Sequence, residues 1–219
     1  MCGIFGSSDL ERYITLYELN KDRGNFAYGS LYTYNEQGPM VFREEVDDFL
    51  SWNVGGYADC TFYFGHTQGP TSAKREFDPK TSHPFQFEEW SIAHNGVLSN
   101  NQTLAEEYEV ENPVDSAIIP KLISIKQLDS KDEVHAIEQA CNELKGTFTC
   151  WIHNELTEES YLIRSGSTLF IDTQECEFSS AEVDGMEVAK EGTIYRVDTI
   201  NRDIHEVGKF NSHSPFFIL

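Results

Sequence analysis

The sequence predicts a layered α+β domain, and three observations lead there. Strand-like segments fall into blocks on either side of one helical block near residues 115–144, an order that favours packed sheets over alternating βαβ units. At Thr147 the apolar period changes from that of a helix to two. Hydrophobic residues make up 39% of the chain and aromatics 13%, enough to build a core and too many for a disordered polymer.

The elements follow in order. Residues 2–5 form a short apolar run that reads as a strand. Residues 10–21 place Leu10, Ile14 and Tyr17 at helical spacing. Residues 28–34 and 40–43 read as two strands, joined by the turn Asn35-Glu36-Gln37-Gly38 into a hairpin. Residues 60–65 are a buried-strand candidate, and residues 68–84, with three prolines and few apolar side chains, read as a long surface loop. A strand over 90–94 ends at Asn95-Gly96. Helices are expected over 115–128, with Ile118, Ile119, Leu122 and Ile125 on one stripe, and over 132–144, with Val134, Ile137 and Cys141 likewise; Gly146 reads as the second helix's C-cap. Strands over 147–153, 161–164, 169–172, 193–198 and 203–207 complete the pattern.

Charge and cysteine usage bound the function. Across 219 residues, 37 acidic against 16 basic side chains give a net charge of −21. Such a surface repels phosphate backbones and anionic membranes, so neither nucleic acid nor membrane is an expected partner. The five cysteines are Cys2, Cys60, Cys141, Cys150 and Cys176. An odd count without C-x-x-C spacing fits neither a disulfide framework nor a zinc site, and no metal or cofactor is expected. No apolar stretch approaches the roughly 18 residues of a membrane span. Asp9 and Glu11 interrupt the N-terminal run too early for a secretory signal, so a reducing cytoplasm is expected.

Cys2 has the most chemical potential. Removal of Met1 would leave a free α-amine on the residue that carries the thiol, with a pKa near 7.7–8.0. That amine can act as the general base for its own side chain. Thiolate attack on an amide carbonyl would then give a tetrahedral intermediate and a thioester. A small buried residue of the first strand is the other reading of Cys2. His94-Asn95-Gly96 ends a strand, and an Asn amide beside a Gly N–H can form an oxyanion hole; by itself Asn-Gly is also a turn.

Together the segments resemble the class II glutamine amidotransferases of the N-terminal nucleophile hydrolase superfamily. The resemblance rests on Met1-Cys2-Gly3-Ile4, Arg23-Gly24 followed by Gly29, Gly65-His66-Thr67 with Pro70-Thr71, His83-Pro84-Phe85, Ala93-His94-Asn95-Gly96-Val97, Asp115-Ser116 and Leu144-Lys145-Gly146-Thr147-Phe148, in the family's order. It implies a four-layer αββα sandwich of antiparallel sheets. It also implies that Cys2 is the nucleophile, that Asn95 and Gly96 form the oxyanion hole, that Arg23 supports the nucleophile end, and that Asp115 binds the α-ammonium of glutamine. Thr71 and the peptide around Gln68 would line the glutamine pocket, with His66, His83 and His94 structural. Asp115 also suits a helix N-terminus on dipole grounds alone.

One residue departs from the pattern. Most members of the family it resembles carry an arginine where this chain has Gln68, and that arginine pairs with the substrate α-carboxylate. A carboxamide in place of a charged fork could cost on the order of 1.5–3 kcal/mol of binding. Arg75, in the same loop, is expected to supply the missing cation; Lys74 is the other candidate.

The resemblance covers residues 1–219 as one domain, without the synthase domain that relatives usually fuse to it. It therefore implies glutamine hydrolysis to glutamate and ammonia, with a separate synthase subunit accepting the ammonia. The alternatives are a stand-alone hydrolase of another γ-glutamyl amide and a catalytically silent regulatory subunit. The apolar segment 215–219 would pack on its own domain or on a partner.

Overall fold

The structure, a computed structural model, describes residues 2–34, 38–45, 60–69, 76–112 and 114–212. Among these residues β1 (Gly3–Ser7) leads into α1 (Leu10–Asn20), β2 (Ala27–Thr33), β3 (Met40–Glu45) and β4 (Phe62–Gln68). Next come β5 (Phe85–Phe87), β6 (Trp90–Leu98), α2 (Asn101–Glu107), α3 (Ile118–Gln127) and α4 (Glu133–Glu143). The remaining strands are β7 (Gly146–Asn154), β8 (Ser160–Ser165), β9 (Phe170–Asp172), β10 (Glu177–Ser179), β11 (Glu187–Val188), β12 (Thr193–Asp198) and β13 (Asp203–Lys209). One sheet runs β11-β9-β10-β1-β4-β2-β3 and the other β13-β12-β8-β7-β6-β5.

Strand alternation turns these sheets into four layers. Successive side chains point to opposite faces. Ile4, Phe62 and Phe64 therefore face the second sheet, where they meet Trp151 and Leu162. Their neighbours Phe5 and Tyr63 face outward and pack on Tyr13, Leu16 and Tyr17 of α1. In β7, Cys150 and Ile152 flank Trp151 and point the other way, onto Leu122 of α3 and Ile137 of α4. Every residue of β1, β2 and β4 is buried, which is why these strands read as apolar runs rather than as alternation. The order helix, sheet, sheet, helix is the expected αββα sandwich.

Caps and cross-links fix the layers. Asp9 caps α1 by accepting from the Arg12 backbone N–H at 2.8 Å, and Asp132 caps α4 through His135 at 2.8 Å. The fully buried Trp151 reaches across the sandwich, its Nε1 donating to the Gly65 carbonyl at 3.0 Å. Under the first sheet, Glu177 is 3% exposed and is held by the Arg12 guanidinium at 2.7 Å and by the Ser7 hydroxyl at 3.1 Å.

Two expectations change. The sixth strand does not end before Asn95-Gly96 but carries both in register, Asn95 opposite Thr149 and Gly96 opposite Phe148, as far as Leu98 opposite Gly146. Gly146 is not a helix cap: α4 closes at Leu144, and Gly146 opens β7 with φ 122°. A side chain there would lie 2.2 Å from the Val97 carbonyl oxygen, so close strand approach explains this glycine. Most of the hairpin turn, at residues 35–37, and segment 215–219 lie outside the described residues.

Candidate active site

Antiparallel pairing assembles the site. Gly3 lies opposite Thr67, so Cys2, just before β1, arrives beside the end of β4 at Gln68. A cleft of about 880 Å³ opens there, lined by Cys2, Gln68, His83, Gly96, Val97 and Asp115 among others. Four of the sequence-predicted residues, Cys2, Gln68, Gly96 and Asp115, thus share one cleft. Thr71 and Arg75, and Lys74 with them, lie outside the described residues.

Cys2 is half-buried, its Sγ 4.0 Å from the Gly69 carbonyl oxygen. Burial pushes the thiol above its ordinary pKa; the Asp115 charge adds to the effect and the Arg23 charge opposes it. The thiol is therefore protonated at neutral pH and needs a base before it can attack. Arg23 follows α1 in a short 3-10 turn and donates from Nε to the Cys2 carbonyl at 3.2 Å.

Gly96 has φ 154°, and a Cβ on it would lie 2.0 Å from the Thr147 oxygen and 2.8 Å from His94 Nε2. Only glycine fits there. Asn95 is 4% exposed and donates one amide proton to Ser180 Oγ at 3.2 Å. Its carboxamide carries a second proton. Asp115 Oδ2 accepts from the Leu98 N–H at 2.8 Å, which moors the end of β6.

Burial keeps two histidines of the site neutral. His66 is fully buried, burial lowers its pKa to about 3, and its Nε2 lies 3.3 Å from the His94 carbonyl oxygen. His94 bonds Ser116 Oγ through Nδ1 at 2.8 Å and is also shifted down by burial, with Asp115 opposing. His83 lies against His66 with ring centres 3.9 Å apart.

Gln68 is 3% exposed. Its Nε2 donates to the Thr81 carbonyl at 3.4 Å, and its buried Oε1 has no hydrogen-bond partner among the described residues. Exchanging the two atoms would set oxygen against oxygen at Thr81, so the side chain commits its donor there and keeps its acceptor spare.

Sequence reasoning missed Thr168 and Ser180. Thr168 Oγ1 accepts from Arg23 Nη2 at 3.2 Å and donates to the Ser180 carbonyl at 2.9 Å. Ser-Ser-Ala at 179–181 carries no motif, and only the pairing of β10 with β1 brings it to the site. No group of three or more His, Cys, Asp or Glu side chains suited to a metal ion occurs among the described residues, and none of their helices is long and apolar enough to cross a membrane.

No family model matches the chain. It is 30% identical to a glutamine--fructose-6-phosphate aminotransferase of Listeria innocua, over 95% of this chain and 36% of the relative. It is 24% identical to an amidophosphoribosyltransferase of Methanocaldococcus jannaschii, over 90% of this chain and 47% of that protein. The chain thus spans about a third to a half of the length of these relatives. Among solved structures, a glutamine phosphoribosylpyrophosphate amidotransferase from B. subtilis superimposes with a TM-score of 0.71 at 17% identity, over 96% of this chain and 49% of that one.

Proposed function

We propose, from the premise that this chain is a class II glutamine amidotransferase domain with the N-terminal nucleophile hydrolase fold, that it hydrolyses the side-chain amide of glutamine through Cys2. With Met1 removed, the Cys2 α-amine takes the thiol proton and the sulfur attacks the amide carbon. The oxyanion that forms is held by the spare Asn95 amide proton and by the Gly96 N–H, each worth roughly 3 kcal/mol in the transition state. Proton return to the nitrogen expels ammonia and leaves a γ-glutamyl thioester. Water, activated by the same amine, then releases glutamate. Asp115 holds the substrate ammonium through the carboxylate oxygen not engaged by Leu98, and Arg23 fixes the main chain of the nucleophile. The ammonia passes to an acceptor enzyme, a proposal that rests on the transferase names of the relatives.

The observation that carries this reading is the presence of Cys2, Gly96 and Asp115 on one cleft, with Arg23 on the Cys2 carbonyl. Its test is labelling with a diazoketone analogue of glutamine. Peptide mapping is expected to place the adduct on Cys2, and loss of labelling with excess glutamine ties the thiol to the substrate pocket. A folded protein that neither labels nor releases glutamate is a silent subunit instead. One observation favours a second substrate: Gln68 offers a spare acceptor rather than a cation. Turnover of γ-glutamyl amides in preference to glutamine would support that version, a stand-alone hydrolase.

A further inference from the structure

Ser180 touches both halves of the catalytic apparatus. It is 1% exposed and directly follows β10. Its N–H donates to the Ile4 carbonyl at 2.8 Å, and its Oγ accepts from the Ile4 N–H at 3.1 Å. The same Oγ accepts the Asn95 amide proton at 3.2 Å. Ile4 belongs to the strand that directly follows Cys2, and Asn95 to a strand of the opposite sheet. The Ser180 carbonyl continues the chain of contacts through Thr168 to Arg23 and so back to the Cys2 carbonyl.

A hydroxyl oxygen has two acceptor sites. Both are filled here, one from each sheet. Apolar packing between sheets is non-directional and resists sliding only through shape, whereas a hydrogen bond fixes distance and angle. Asn95 has two amide protons; giving one to Ser180 directs the other. We propose that Ser180 is a positioning residue that aims the Asn95 carboxamide at the oxyanion and sets its distance from Cys2. The proposal rests on the reading of Cys2 and Asn95 given above and adds to it a residue that, beside the Trp151–Gly65 and His66–His94 contacts, helps register the two sheets against each other.

Without the hydroxyl, Asn95 is free to rotate and the Ile4 N–H loses its partner. Misplacing one oxyanion donor lowers kcat by roughly tenfold to a hundredfold while ground-state binding is little changed. The experiment is a double-mutant cycle of Ser180→Ala and Asn95→Ala, with Ser180→Thr as the variant that restores the hydroxyl. The expected result is a drop in kcat of that size for Ser180→Ala, with KM for glutamine within about twofold, and no further loss when it is combined with Asn95→Ala. Ser180→Thr recovers most of the rate. Two results overturn the proposal: full kcat in folded Ser180→Ala, or losses that multiply in the double variant.

A readout that needs no turnover accompanies these assays. The side-chain NH₂ signal of Asn95, assigned by its disappearance in Asn95→Ala, is expected to show one proton slowed in exchange in the parent and not in Ser180→Ala. Equal exchange in both proteins also overturns the proposal. An inactive parent that retains the slowed proton would refute the glutaminase reading and leave the Ser180–Asn95 coupling standing.

Discussion

Arg23 Nε donates to the carbonyl oxygen of Cys2 at 3.2 Å, while Nη2 of the same guanidinium donates to Thr168 Oγ1 at 3.2 Å. One planar fork thus joins the Cys2 main chain to a hydroxyl contributed from 145 residues further along. Lysine keeps the charge but cannot span both partners. Arg23→Lys is expected to lower kcat/KM for glutamine by roughly tenfold to a hundredfold, the effect of losing one charge-assisted hydrogen bond of about 1.5–3 kcal/mol. Steady-state ammonia release measures it; an unchanged kcat/KM would show that Arg23 does not hold the nucleophile.

Gly96→Ala is expected to fail in stability and in rate together. The backbone conformation at φ 154° costs a residue with a side chain about 1–3 kcal/mol, before the contact with the Thr147 oxygen is counted. For a domain of this size each 1 kcal/mol lowers the melting temperature by roughly 2–4 °C. Calorimetry and glutaminase assays on the same preparation check both. A variant with the parent's melting temperature and kcat would refute the Gly96 geometry.

Gln68→Arg is expected to lower KM for glutamine by roughly tenfold to a hundredfold, because it restores a charged fork for the carboxylate. Arg75→Ala is expected to raise KM if Arg75 supplies that charge in the parent. Neither change should alter kcat by more than a fewfold, since the carboxylate is remote from the reacting amide. A KM that ignores both substitutions would place the carboxylate elsewhere.

Acid is expected to destabilise the fold through buried histidines. Burial lowers the pKa of His66 to about 3 and that of His153 to about 4, against an ordinary 6.5. Between those values the unfolded chain binds protons that the folded chain cannot. Stability is therefore complete above about pH 6.5 and falls as pH drops toward 3 or 4, by up to roughly 1.4 kcal/mol per pH unit for each histidine. Urea midpoints between pH 7.5 and 5 measure the slope, and His66→Gln should flatten it. An unchanged slope in that variant would mean that His66 is not neutral in the folded protein.

Much of the fold and of the candidate site was legible because it is local. Ile4 and Phe5, or Phe62, Tyr63 and Phe64, announce strands buried on both faces, and Cys2, Asn95, Gly96 and Asp115 sit in short motifs whose chemistry can be named. What was hidden depends on distant pairing. β5, β10 and β11 have three, three and two residues, too few for a period to show. Asn95-Gly96 looked like a strand end because Asn-Gly favours turns, yet nine residues of β6 pair continuously with β7. Ser180 meets Ile4 across 176 residues of chain, and no spacing rule reaches that far.

The measurement that bears most directly on the whole account is glutamate release by the parent and by Cys2→Ala, with the intact mass of each preparation recorded. The expected result is a parent mass lacking one methionine, with glutamate and ammonia released from glutamine in equal amounts. Cys2→Ala, folded to the parent's melting temperature, is expected to release neither. Glutamate released by Cys2→Ala at the parent's rate would contradict the assignment of Cys2 as nucleophile.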